Sequence, residues 1–581
     1  MSSNALIPLT VDPAPTTTTL LEQTARRWPE RVAVDFLGAT TTYAELADQV
    51  AAAARVLAGL GVGPGDRVAL VLPNCPQHVV AFYAVTSLGA TVAEHNPLAA
   101  PEEVRAQLKL HGARVVVAWE HAVGTVLPQE GQDRTVLAVD LSAAMPWRTR
   151  LLLRLPVKAA RAQRAKLRAP VPEGVGSWDR EVAAALGSGR ARRGTGTSPG
   201  GTDERGAQRH TPGPSPEDVA VLLPTGGTTG TPKLVPLTHA NLMANVAQGR
   251  QWVPGLQEGE ETFGAVLPFF HAFGMTLSLT FAVSMGATQV VLPNFDVDMV
   301  LAAMRRRPWT FLAGVPPMLD RLAAAGEENP ELLHPLRYAI SGAMALQPEV
   351  ADRWEAATGG LVIEGYGMTE CSPIALGNPF GPERRPGTLG IPFPGTEIRV
   401  VDPDLVEEDA DAPDVPDGEV GELLVRGPQV FGGYLDAPEE TAQVLLPGGW
   451  LRTGDLVRRD PADGFVALAD RRKELIVSGG FNIYPSQVEE AVRGMPGVVD
   501  VAVVGLPDTS LGEHVVAALV LEPGASVDLP SVREWLQDKV SRYAVPRDLH
   551  VLDDLPRSQL GKVLRRHVRE RILALRERAG G

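Results

Sequence analysis

From Tyr43 onward, segments with apolar residues at helical spacing alternate with short strand-like runs, and this alternation constrains the fold more than any other feature. Tyr43, Leu46, Val50, Ala53, Leu57 and Leu60 mark one face of a helix that Gly61 closes. A strand is expected over 67–72, followed by the helical PEEVRAQLKLHG and the strand-like ARVVVA. Such units bury their apolar faces by laying parallel strands side by side under helices. The rhythm breaks at 187–216, where GSGRARRGTGTSPGG and TPGPSP cannot build a core and read as a disordered linker or insert. It resumes at Asp218 and continues to about Asn378. From Gly418 the texture turns β-rich through EVGELLVRG, WLRTGDLVRR and FVALADR, with a turn expected at Asp463-Gly464. After Lys473 a last unit reads as mixed α+β. A chain of 581 residues is too long for one core and suggests roughly three to four domain-sized units.

The net charge of −15 argues against a nucleic-acid partner. Part of that excess is local, since 402–422 holds ten acidic residues among prolines and reads as a solvated surface loop. Cys75 and Cys371 lie far apart and belong to no ligand-spaced cluster, so they are expected as small buried hydrophobes. No apolar run reaches membrane-spanning length, and neither end carries a recognisable address signal, which predicts cytoplasmic residence. One segment bears on this. PWRTRLLLRLPVKAARAQRAKLRAP, 146–170, has eight basic residues, no acidic ones, a tryptophan and a leucine cluster. It reads either as a solvated basic helix or as peripheral contact with the inner face of a membrane, where each Lys or Arg is worth about 1 kcal/mol. Pro156 interrupts any single amphipathic face.

The stretch PTGGTTGTPK, 224–233, has the composition of a loop that wraps phosphate. It is not a Walker A loop, because Thr231 and Pro232 separate Gly230 from Lys233, and no helix follows directly. Leu234 to Leu237 read as a strand and Thr238 as the N-cap of the next helix. Phosphate would then be held by backbone N–H groups and threonine hydroxyls between two strands. Gly/Thr richness alone describes an exposed turn equally well.

Four further stretches offer pieces of nucleotide chemistry. In EGYGMTE, 364–370, Tyr366 can stack on a base, Thr369 can donate to a phosphate, and Glu370 can hold Mg²⁺. Alone, these would more simply be a core aromatic and a surface charge. In RTGDLV, Asp455 can accept from two ribose hydroxyls, or cap its own turn. DRRKELIVSGGFNIYPSQVEE pairs charges with a Ser-Gly-Gly turn and a helix. PRSQLGKVLRR presents Lys562 after a glycine, in a polar extended context that is by itself weak.

In this order and at these spacings the five stretches resemble the adenylate-forming superfamily of acyl-CoA synthetases, luciferases and adenylation domains. The resemblance runs from about Thr17 to Glu570 apart from 187–216. NPLAAPEEVRAQLKLHGARVVV, the GGTT of the loop and SGGFNIYPSQVEE look most like bacterial long-chain fatty acid–CoA ligases. The fold it implies is α/β. A large domain, 1–472, would hold two helix-covered parallel-type sheets and a β-barrel-like subdomain, with a small mobile α+β lid over 473–581.

The resemblance also implies residue roles. Thr225, Gly226, Gly227, Thr228, Thr229, Gly230 and Lys233 would lie over the β- and γ-phosphates of ATP. Tyr366 and Gly367 would stand against adenine near Gly342 and Ala343 of SGAMALQ. Thr369 would contact the α-phosphate and Glu370 bind Mg²⁺. Asp455 and Arg471 would hold the ribose, and His271 of PFFHAFGM would stand at the acyl site. Lys473 would be the hinge, Gly480 would border the coenzyme A channel, and Lys562 would be the catalytic lysine. Leu234 and Val477 depart from residues common in the family, glycine and lysine respectively. The implied activity is ATP-dependent fatty acid–CoA ligation through acyl-AMP. Its alternatives are a medium-chain or aryl acid ligase, or an enzyme that hands acyl-AMP to a carrier protein. The short stretch after Lys562 argues against a modular peptide-synthetase domain. A silent acyl- or nucleotide-binding protein and a light-emitting oxygenase are the more distant readings.

Overall fold

In the strand Arg67–Val71, Val68 and Leu70 face one apolar cluster while Ala69 and Val71 face another. Phe311 and Ala313 likewise face away from Leu312 in Phe311–Gly314. Successive side chains on a strand point to opposite faces, so runs without polar alternation require sheets covered on both sides. That is the architecture of this computed structural model, which describes residues 6–129, 133–194, 213–225, 233–408, 412–478, 481–508, 512–537, 539–558 and 561–580.

Two large, mostly parallel sheets share one core. One has nine strands, with Leu361–Gly367, Tyr338–Ser341, Phe311–Gly314, Thr262–Ala265 and Thr288–Val291 in successive neighbouring positions. The other has seven, and Arg67–Val71, Thr91–His95, Val219–Thr225 and Lys233–Thr238 follow one another across it. Helices Pro76–Ser87 and His239–Trp252 are buried almost all round, as the shared core between the sheets demands. Helix Tyr43–Gly59 begins on a Thr42–Glu45 capping box and ends before Gly61, which takes a left-handed φ of 86°.

The β-rich region is a five-stranded antiparallel sheet packed on the same core. Its strand Trp450–Arg459 pairs with Val420–Arg426, Leu445–Leu446 and Val466–Arg471, and register shifts at Glu422/Leu424 and Leu456/Val457 bend it. Gly464, at φ 79°, makes the expected turn. The last unit is a separate five-stranded sheet around Val498–Asp508 and Gly512–Leu521. Helices Pro485–Arg493 and Leu529–Leu536 cover one face and Arg565–Gly580 the other.

Two expectations are refined and one holds. The helix Trp178–Gly194 runs into the segment read as linker, continuing the Ala183–Ala185 run through GSGRARRG, whose arginines favour helix although its glycines do not; 195–212 lie outside the described residues. The acidic stretch 402–422 is not simply solvated. Arg399 binds Asp414 at 2.7 Å, Arg459 pairs with Asp417, and the buried Glu422 takes Arg452 at 2.6 Å. Both cysteines are buried, as expected.

Candidate active site

The functional stretches follow the carboxyl ends of adjacent parallel strands. Strands Thr262–Ala265, Phe311–Gly314, Tyr338–Ser341 and Leu361–Gly367 pair in that order. Residues 268–271, 315–317, 342–344 and 365–370 therefore emerge together, at the edge where open α/β sheets bind ligands. The seven-stranded sheet reaches the same place. Asn74, just past Arg67–Val71, donates to the Leu267 carbonyl at 2.7 Å and accepts from the Phe269 amide at 2.8 Å. Thr225 ends its strand opposite Lys233 in an antiparallel pair, so the Gly/Thr stretch joins two strands, and Thr238 caps the following helix as expected. Gly226, Gly227, Thr228, Thr229 and Gly230 lie outside the described residues.

Close approach explains the glycines here. A Cβ on Gly342 would stand 2.9 Å from the Phe273 ring and 3.4 Å from the Gly365 carbonyl, so only glycine lets SGAMALQ lie against EGYG. Next to it Ala343 has φ 66°, a left-handed conformation that costs a non-glycine residue energy and is concentrated at functional sites. A Cβ on Gly367 would sit 1.8 Å from the Pro373 carbonyl.

Tyr366 and Asp455 meet at this edge. The Tyr366 hydroxyl donates to Asp455 Oδ2 at 2.5 Å, and Arg471 Nε lies 3.0 Å from Oδ1. Asp455 and Arg471 are register partners across their two antiparallel strands, which sets the ion pair by backbone pairing alone. Burial, reinforced by the carboxylate, raises the Tyr366 phenol well above its ordinary range, so it acts as a donor.

A second contact chain joins Lys233, Tyr434 and Glu370. Lys233 Nζ lies 4.9 Å from the centre of the Tyr434 ring, and the Tyr434 hydroxyl donates to Glu370 Oε1 at 2.8 Å. Backbone bonds from Leu435 to Leu234 and from Phe431 to Glu370 fix this geometry. Thr369 and Glu370 share one 3-10 turn, Thr369–Cys371. Burial raises the Glu370 carboxyl, while the Tyr434 hydrogen bond and Lys233 act the other way. A buried carboxylate with an oxygen to spare suits a hard cation. Among the described residues no three His, Cys, Asp or Glu side chains cluster as a metal site. Glu370 can thus supply one ligand, with phosphate oxygens and water completing the shell.

His271 caps the turn Ala272–Gly274, its Nδ1 accepting from the Phe273 amide at 3.3 Å, and burial lowers its pKa to about 4. It is a neutral imidazole.

Lys562 lies in electrostatic reach of Arg471, Glu474 and Asp455, although it belongs to the last unit. Burial first, then Arg471, lowers its pKa to about 8. A Cβ on the preceding Gly561 would lie 3.5 Å from Met344 Sδ and 3.8 Å from Pro317, so the lysine loop rests on the 342–344 and 315–317 segments. Lys473 stands in the 3-10 turn Arg472–Glu474 between the third and fourth sheets. Gly480 lies outside the described residues.

Sequence reasoning missed Tyr434 and Arg565. Tyr434 follows two glycines in FGGYLD, which reads only as a turn. Arg565, three residues beyond Lys562, binds Glu489 at 2.6 Å, pairs with Glu474 and lies 3.5 Å from Asp470. Nothing in one sequence marks that convergence.

An edge where two α/β sheets meet, an Asp–Arg pair on an antiparallel sheet and a lysine delivered by a small terminal unit are the features of the class of AMP-binding enzymes. The family model of that description matches residues 21–435, and that of the AMP-binding enzyme C-terminal domain matches 487–562. The chain belongs to this family. It is 32% identical to a long-chain-fatty-acid–CoA ligase of Bacillus subtilis (strain 168), over 96% of this chain and 95% of that one. A rice (Oryza sativa subsp. japonica) 4-coumarate–CoA ligase 2 is also 32% identical, over 92% and 88%. ATP-bound MatB from Rhodopseudomonas palustris superposes with a TM-score of 0.75 at 28% identity, covering 96% and 99% of the two chains. The anthranilate CoA ligase AuaEII in complex with anthranoyl-AMP gives 0.76 at 25%, covering 96% and 98%.

Proposed function

We propose that the protein is an ATP-dependent long-chain fatty acid–CoA ligase, with a large domain to 472 and a lid from Lys473. The observation that carries the reading is that Lys562 lies within electrostatic reach of the Asp455–Arg471 pair, in a chain similar over nearly its whole length to such ligases.

A carboxylate is a poor acylating agent because its leaving group would be oxide. In the first step one of its oxygens forms a bond to the α-phosphorus of ATP, the bond to the β-phosphoryl oxygen breaks, and pyrophosphate leaves. The protonated Lys562 offsets the negative charge that grows on the α-phosphate oxygens, with Thr369 donating alongside. Asp455 and Arg471 fix the ribose, and Tyr366 presents its ring to adenine against the 342–343 backbone. Thr225 and Lys233 anchor the ends of the phosphate loop, whose 226–230 residues supply amides. Mg²⁺ held by Glu370 would neutralise phosphate charge. In the second step the thiol sulfur of coenzyme A attacks the acyl carbonyl, loses its proton and expels AMP, leaving a thioester. Neutral His271 stands beside the acyl path as a polar contact. We read Lys473 as the pivot that replaces Lys562 by the 480 region between steps. On this reading the enzyme works in the cytoplasm at the inner face of the membrane, where long acyl chains partition.

An aryl acid ligase would use the same nucleotide site, and the 4-coumarate–CoA ligase relative favours keeping it in view. A panel of aliphatic acids of increasing length and of aryl acids, scored by coenzyme A-dependent AMP release, tests the proposal. Preference for long aliphatic acids is expected; preference for aryl acids would replace it, and release of ADP with orthophosphate would end it.

A further inference from the structure

The basic segment forms a two-helix hairpin on the surface, and most of its exposed side chains are cationic or apolar. Helices Trp147–Leu153 and Lys158–Leu167 flank a turn that contains Pro156. Trp147, Leu151 and Leu152 are 69%, 56% and 60% exposed, and Leu155 and Val157 in the turn are also exposed. Of the eight basic residues in 146–170, Arg168 is bound by Glu120 at 2.9 Å and Asp140 at 3.2 Å; none of the others forms an ion pair among the described residues. Five large apolar side chains left in water beside uncompensated cations are costly to solubility unless a partner covers them.

The hairpin is nevertheless anchored. Leu153 and Leu167 pack against the main core, and the Trp119 indole donates to the Leu167 carbonyl at 2.9 Å. Arg164 donates to the Leu153 carbonyl at 3.4 Å, tying the two helices together. The apolar residues outside are therefore presented on a held scaffold. The hairpin also faces the edge that carries the site. It follows the carboxyl end of Thr135–Val139, which runs parallel through its neighbours to Val219–Thr225, the strand that leads into the phosphate loop. Four strand steps separate the two, or about 19 Å across the sheet.

We propose that this hairpin docks the enzyme on an anionic lipid bilayer, with Trp147, Leu151, Leu152 and Leu155 entering the interface and the flanking arginines and lysines meeting lipid phosphates. Charge complementarity selects this occupant: a second copy would bring the same positive charge to the same patch, and a neutral apolar partner would leave the cations unmatched. The hairpin is rooted at the same end of the sheet as the nucleotide edge, through Trp119, Glu120 and Asp140, which fits the ligase reading but does not depend on it.

The test is co-sedimentation of the full-length protein with vesicles of phosphatidylcholine alone or mixed with phosphatidylglycerol, at low and high salt. Binding to the mixed vesicles should exceed binding to neutral ones by about tenfold or more and weaken with salt. The triple variant Arg148→Glu/Arg150→Glu/Arg154→Glu should remove that preference. Leu151→Gln/Leu152→Gln should lower binding to both vesicle types while leaving the thermal midpoint unchanged, which controls for folding. Equal weak sedimentation with both vesicles, or variants that bind like the parent, would overturn the proposal. So would concentration-dependent dimerisation that the leucine variant abolishes without vesicle binding, since a second copy would then own the surface. No acid or nucleotide enters this measurement, so its failure is separate from failure of the acid panel.

Discussion

The Tyr366 hydroxyl and the Asp455 carboxylate, 89 residues apart in sequence, meet at 2.5 Å, and Arg471 holds the other carboxylate oxygen. One buried carboxylate thereby locks the aromatic stretch of the nine-stranded sheet to the antiparallel sheet. Asp455→Asn should weaken ATP binding by about 1.5–3 kcal/mol, the scale of hydrogen bonds to a charged group. Tyr366→Phe keeps the ring and should cost less. Calorimetric titration with ATP separates them; equal losses would mean that the hydroxyl, not the carboxylate, governs the site.

Lys562→Ala should suppress acyl-AMP formation by about 2.7–4 kcal/mol of transition-state stabilisation. Thioester formation from supplied acyl-AMP should be largely spared. The two half-reactions, measured apart, decide the point, and equal loss in both would contradict the assignment.

The same lysine sets a pH limit. Burial and Arg471 hold it near a pKa of about 8, and in the proposed mechanism its cationic form is the one that meets phosphate charge. The kcat/KM of adenylation, which reports the free enzyme, should therefore be high below that pKa and fall above it. Lys562→Arg, cationic throughout, should flatten the alkaline limb even if its maximum is lower. A limb unchanged in that variant would assign the titration elsewhere.

Arg565 gathers Asp470, Glu474 and Glu489 at the junction of the large and small units. Removing one partner of a buried ionic cluster typically costs about 3–5 kcal/mol, because the remaining charges stay buried without compensation. Arg565→Ala should lower the unfolding midpoint of the small unit and slow adenylation with it. An unaltered melting profile would show the cluster to be energetically neutral.

Glu370→Gln should raise the Mg²⁺ concentration needed for half-maximal adenylation, since an amide is a weaker hard-cation ligand than a carboxylate. Tyr434→Phe, which removes the hydrogen bond to Glu370 and keeps the ring under Lys233, should have the smaller effect. Magnesium titrations of both variants provide the comparison.

Much of this was written locally. Apolar period and turn chemistry placed the Tyr43 helix, the strand pair around the Gly/Thr stretch, the Thr238 cap and the Asp463-Gly464 turn, because backbone preferences act within a few residues. Motif order named Tyr366, Glu370, Asp455 and Lys562 as candidates. Tertiary structure alone decided that Asp455 spends both oxygens on Tyr366 and Arg471, that Tyr434 bridges Lys233 to Glu370, and that Arg565 joins three carboxylates. It also paired Asp414, Asp417 and Glu422, members of an acidic stretch that composition describes as solvated. Those contacts join residues tens to more than two hundred positions apart, and ion pairing depends on distance in space, which spacing along a chain does not encode.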